Sequence, residues 1–285
     1  MLAEPAMAAV FVCALSVPFA GATRAQEPAP AAAAPAAAPA AAPAAAPAAA
    51  PAAAPPAAAV DPLVEAHDLI ETAPNTKENL RRAIALYEGR LGDAGVPPQR
   101  RADGWADVSR AYLRLGDIES TAAKKIEAYD AGRAAARKGL ALVSSHVESL
   151  FWDMANLATT GRTRGVMNSL FMLPELRTGL KRCLELDRNH KLAKQTLADI
   201  DHAVPGIAGG SDERAEQAYL ELLQRDPGLT SAMFNLAKLY RDQGKKEEAR
   251  RWATQARDCK SPSNPNDWRK FDRNDAAQLL KELDK

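Results

Sequence analysis

T-S-A-M-F-N-L-A-K-L-Y-R-D-Q-G-K-K-E-E-A-R-R-W-A-T-Q-A-R-D-C-K-S-P-S, residues 230–263, decides the fold. Leu236 and Ala237 set a large side chain next to a small one in a first helix, and Tyr240 follows one turn on. Gly244 turns the chain, and Ala249, Ala253 and Ala256 are the small residues of a second helix. Residues three and four apart share one helix face. Two helices cross closely where one offers small side chains to the large ones of the other. The stretch therefore predicts a tight antiparallel helix pair.

The same order of large and small positions resembles the tetratricopeptide (TPR) repeat, whose period is about 34 residues. Working outward, Trp105, Val108, Ser109 and Tyr112 take the large, large, small, large places of another first helix. Phe151, Met154, Ala155 and Ala158 continue the pattern in the next hairpin, and Leu197, Ala198 and Asp201 lie on the first helix of the one after. A first pair is expected over residues 63–72 and 78–91, with Asn75 as cap of its second helix. The helix after Gly116, over residues 121–143, is longer than a repeat requires. A last helix over residues 272–283 carries Ala276, Leu279, Leu280 and Leu283, suited to covering the open end of a solenoid. The expected fold is all-α: a TPR-like helical-repeat solenoid of about five helical hairpins with a C-terminal capping helix. Trp105, Tyr112, Leu236, Ala237, Tyr240, Ala249 and Ala256 are its expected packing positions.

The solenoid is assigned to residues 61–285. Residues 8–20 are apolar and uncharged, and Ala20, Gly21 and Ala22 make a small-residue cleavage site, as in a secretory signal peptide. Residues 1–25 are read as that signal, cut after Ala22 or Ala25, which places the protein in the periplasm or outside the cell. Cys13 follows Val12 inside the apolar run and is not read as a lipid anchor. Residues 26–60 are nearly all Ala and Pro, with Pro35, Pro39, Pro43, Pro47, Pro51 and Pro55 at every fourth place. A proline inside a helix costs about 3 kcal/mol, so a disordered, extended linker is expected.

Charge and chemistry exclude several classes. The 37 Lys and Arg balance 36 Asp and Glu, which gives no footprint for nucleic acid or an anionic membrane. His67, His146, His190 and His202 fall in different hairpins, and His146 is read as a cap. No zinc, phosphate-loop or serine-nucleophile motif occurs, so no catalytic, cofactor or metal residue is expected. Cys183 and Cys259 are read as packing residues in two second helices rather than a disulfide.

Two stretches are more specific than the repeat. One is residues 167–175, M-N-S-L-F-M-L-P-E, followed by Leu184, Glu185, Leu186 and Asp187. The other is residues 205–210, P-G-I-A-G-G, followed by Ala215 and Glu216. Together, between degenerate repeats, they resemble the T component of tripartite ATP-independent periplasmic (TRAP) transporters, of TatT type. The resemblance implies a non-enzymatic periplasmic accessory protein that associates with a TRAP substrate-binding protein or its organic or apolar ligand, and that forms homo-oligomers. The other reading is a general cell-envelope scaffold for protein partners.

Residues 161–174 read as an insertion that the hairpin does not need. Its run from Gly165 to Leu173 either fills a gap in the core or makes a contact. In the second case Met167, Leu170, Phe171 and Met172 line an apolar cavity or an oligomer interface, and Arg164 at the rim holds a carboxylate.

Overall fold

The computed structural model describes residues 61–284. The signal peptide and the Pro/Ala linker expected over residues 1–60 lie outside the described residues. Eleven principal helices form five hairpins and a cap among the described residues. The hairpins pair α1 (Pro62–Glu71) with α2 (Lys77–Leu91), α3 (Pro98–Asp117) with α4 (Ala122–Leu142), and α5 (Val147–Arg164) with α6 (Val166–Leu186). They continue with α7 (Lys191–Ala203) and α8 (Asp212–Arg225), then α9 (Thr230–Asp242) and α10 (Lys246–Arg257); α11 (Arg273–Leu283) closes the series.

Local chemistry sets the boundaries. Pro62 and Pro98 sit in first turns, where the missing N–H is no loss. Thr121, His146, His190 and Ser211 cap α4, α5, α7 and α8, each accepting a bond from a first-turn N–H. Thr76, not Asn75, caps α2, because its hydroxyl accepts from the Asn79 N–H. Gly244 takes φ +75° between α9 and α10, a backbone region closed to most side chains.

The core is three adjoining apolar clusters strung along the repeats. Trp105, Leu236, Ala237, Tyr240, Ala249 and Ala256 are buried, and Tyr112 is half-buried. Ala237 is wholly buried in α9. Ala237→Leu is expected to lower stability by about 1–3 kcal/mol through overpacking, read as a lower denaturant midpoint.

Several expectations need correcting. Lys238, a residue type that ordinarily takes the outer face of a helix, is only 5% exposed. Its ammonium donates to Asn235 Oδ1 at 3.3 Å and sits 5.4 Å from the Phe234 ring centre, so the aliphatic stem packs while the charge keeps polar company. Residues 161–174 are not an insertion. α5 runs on to Arg164, Gly165 makes the turn at φ +103°, and α6 is helical through Pro174. Good helix formers on both sides of Pro174 carry the helix past the one bond that proline removes. Cys259 lies beyond the end of α10 and is half-buried; Cys183 is buried, and both thiols are free. Before α11, a short helical turn (Pro265–Asp267) and one wide turn (Trp268–Asp272) bridge to the cap.

Candidate interaction surface

α6 is apolar around much of its first half, and geometry divides that run in two. Ser169, Leu173, Leu176, Leu180 and Cys183 are buried. Met167 and Phe171, one turn apart, stand 63% and 79% exposed. Leu170 and Met172 are half-buried and pack on the middle cluster. Gly161 of α5 leaves the room: a Cβ there would stand 2.9 Å from the Met172 sulfur. Leu170 and Met172 thus support the core, and Met167 and Phe171 reach solvent. Arg164 is exposed, with a guanidinium nitrogen 3.5 Å from Asp130 of α4.

Ion pairs hold this helix in place. Arg133 of α4 donates to Asp153 of α5 at 2.8 Å and to Glu175 of α6 at 2.7 Å, joining three helices. Arg177 of α6 donates to Asp201 of α7 at 2.7 Å and to the Gly209 carbonyl at 3.1 Å. The two stretches singled out in the sequence are therefore tied together by Arg177.

The second stretch forms a braced loop. Residues 206–208 make one 3-10 turn, and Gly209 takes φ +87°. The Gly210 N–H donates to the Pro205 carbonyl at 3.2 Å, and the Ser211 N–H to the Asp201 carbonyl at 2.8 Å. Arg214 of α8 adds two bonds to the Asp201 carboxylate, at 2.9 and 3.0 Å, and one to the Gly209 carbonyl at 2.7 Å. On this braced loop Ile207 is fully exposed. The sequence reading missed Ile207 as a contact residue, although its setting among glycines and one proline marked the loop.

A cavity of about 600 Å³ borders the loop, lined in part by Asp201, His202, Ser211, Asp212 and Glu213. His202 closes one side: Nδ1 lies 2.9 Å from Asp212 and Nε2 lies 3.2 Å from Asp242. Burial alone would lower the His202 pKa, but the bonds to Asp242 and Asp212 outweigh it and hold the pKa above its usual value. Burial works the other way on Asp242, yet His202 and Arg241 bring it down to about 2. Beside this clamp, Asp199 of α7 accepts from Tyr219 at 2.5 Å and from Asn235 at 2.8 Å. Complete burial pushes Asp199 up to about 6 despite those bonds.

Both raised groups act in one direction. His202 stabilises the fold fully below its unfolded pKa of 6.5, and this is lost as pH rises through its higher folded value. Asp199 contributes fully below its ordinary 3.8 and loses its contribution as pH rises through about 6. The melting temperature is expected to fall as pH rises, first between about 3.8 and about 6 through Asp199 and then above 6.5 through His202. Asp199→Asn, which keeps an acceptor oxygen but cannot ionise, and His202→Gln should each flatten that fall when melting is followed by circular dichroism. A parent protein equally stable across the range would contradict the assignment.

Among the described residues no group of His, Cys, Asp and Glu is placed to hold a metal ion. No described helix is long and apolar enough to cross a membrane. No family model and no curated protein matches the sequence. Among solved structures, the chain is similar to TTC0263, a thermophilic TPR protein in Thermus thermophilus, with 15% identity and a TM-score of 0.55 over 77% of this chain and 97% of that one. It also matches YrrB, described as a TPR protein with an unusual peptide-binding site, at 16% identity and a TM-score of 0.41 over 76% of this chain and 97% of that one. The helix order and the likeness to TTC0263 make the fold a TPR-like helical-repeat solenoid. The T-component resemblance rests on the two sequence stretches alone.

Proposed function

We infer that this chain is a non-enzymatic protein-interaction scaffold and that α6 with the 205–210 loop is its contact surface. One observation carries the reading: Met167, Phe171 and Ile207 are large apolar side chains held in solvent on braced supports. Exposed apolar groups on a fixed frame mark contact sites, and a methionine adapts to varied partners. A braced surface also loses little conformational entropy on binding. The test replaces Phe171 and Ile207 with Ser together. Because both side chains are exposed, stability should change by less than about 1 kcal/mol, while proteins that co-purify with the parent should be lost. An unchanged set of partners would overturn the reading.

The narrower form of the proposal takes the partner to be a periplasmic substrate-binding protein of TRAP type, or a second copy of this chain. The motifs at residues 167–175 and 205–210 support the first of these. Export through the signal at residues 1–25 belongs to the same proposal. Capture from a periplasmic fraction, with mass spectrometry of the partners, separates it from a general scaffold.

A further inference from the structure

At the opposite edge of α7 a second cavity opens, of about 200 Å³, between the α6–α7 turn and the end of α8. Arg188, Lys191, Lys194 and Arg225 border it, yet its wall is almost wholly carbon. The heads of these long side chains are engaged elsewhere. Lys191 pairs with Asp226 at 2.6 Å, and Lys194 pairs with Glu221. Arg225 donates to Asn189 Oδ1 at 2.8 Å and lies in the field of Glu221. Their methylene stems are left to line the space beside Leu222, which is buried. His190 adds a ring whose nitrogens are both occupied: Nδ1 accepts from the Ala193 N–H at 3.1 Å, and Nε2 lies 3.2 Å from Glu148. Water in such a space finds few of the two to four polar partners that it needs.

We propose that this cavity binds a small, neutral, apolar molecule of single-ring size. An apolar cavity of about 150 Å³ holds benzene, so about 200 Å³ leaves room for a ring with one or two further heavy atoms. Replacing poorly bonded water by an apolar group gains affinity. A rigid ring also loses less conformational freedom on binding than an open chain of the same carbon count. The wall is prepared in advance, because the pairs with Asp226, Glu221 and Asn189 already hold the stems. A charged ligand would shed its hydration against carbon, which is costly. The pocket does not depend on the contact surface around Phe171.

The test titrates the full chain with p-cresol, n-heptanol and p-toluate, followed by NMR at the leucine methyl groups. The two alcohols are neutral and equal in carbon count, and p-toluate sets a carboxylate on the same methyl-substituted ring. p-Cresol should saturate one site, shift the Leu222 methyls, leave those of Leu80 in the first hairpin in place, and bind equally well in added salt. n-Heptanol should bind at least about fivefold more weakly for its lost freedom, and p-toluate at least about fivefold more weakly for its lost hydration. Arg225→Ser removes one stem from the wall and should weaken p-cresol about fivefold, with a parent-like melting temperature because Arg225 is exposed. Phe171→Ser should bind p-cresol as the parent does. No saturation by p-cresol, or equal shifts at Leu222 and Leu80, would overturn the proposal. So would equal or tighter binding of p-toluate or n-heptanol, or parent-like affinity in Arg225→Ser.

Discussion

Leu236→Ala is expected to lower the unfolding free energy by about 2–5 kcal/mol. Leu236 is wholly buried in α9, between the small residues of α10 and the cluster that α8 and α11 complete. Its neighbours Ala232, Ala237, Ala249 and Ala253 have no side-chain reach to refill the space. The cavity term is therefore added to the lost transfer free energy instead of relaxing away. Each repeat of a solenoid contacts only its neighbours, so the fifth hairpin and the cap should open first. Hydrogen exchange should speed up most in α9 to α11, with α1 to α4 close to the parent. Uniform acceleration along the chain would contradict a repeat-by-repeat core.

Gly210→Ala is expected to cost about 1–3 kcal/mol or more and to remove partner binding as well. A Cβ on Gly210 would stand 1.6 Å from the Val204 carbonyl oxygen and 2.9 Å from that of Asp201. Both are backbone atoms and cannot swing aside, so the loop itself must shift. That shift breaks the Ser211 bond to Asp201 and moves Gly209 away from Arg177 and Arg214. Ile207 then loses its fixed position. Gly206→Ala is the control, since nothing lies within 4 Å of its added carbon. Chemical denaturation gives the stability, and capture of a partner gives the binding. If the two variants behave alike, the loop is not braced as described.

How far the fold was legible depends on what fixed each element. Leu236, Ala237, Tyr240 and the three alanines of α10 express a packing rule that needs no distant partner, so they were readable from spacing. The His146 cap was readable because its bond is local. Residues 161–174 misled because Gly161 and Pro174 look like breaks. Gly161 is instead a close-packing position against Met172 and Ser169, and Pro174 rides inside α6. Lys238 misled because composition puts a lysine outside, whereas its burial depends on Asn235 and Phe234 around it. The proposed contact surface was half legible. The apolar run was visible, but which of its residues face solvent depends on the rotation of α6 against α5. The braces that hold the Ile207 loop join residues 24 to 32 positions apart through Arg177 and five to 13 apart through Arg214, and no local pattern announces such joints.

The exposed face of α6 is, on this reading, where a protein partner sits. A photo-crosslinking amino acid placed at Phe171 tests that directly, with the same group at Glu88, exposed on α2, as the comparison. The expected result is a discrete adduct with another polypeptide from position 171 and none from position 88, and loss of the adduct when Ile207 is changed to Ser. No adduct from position 171, or the same adducts from both positions, would contradict it.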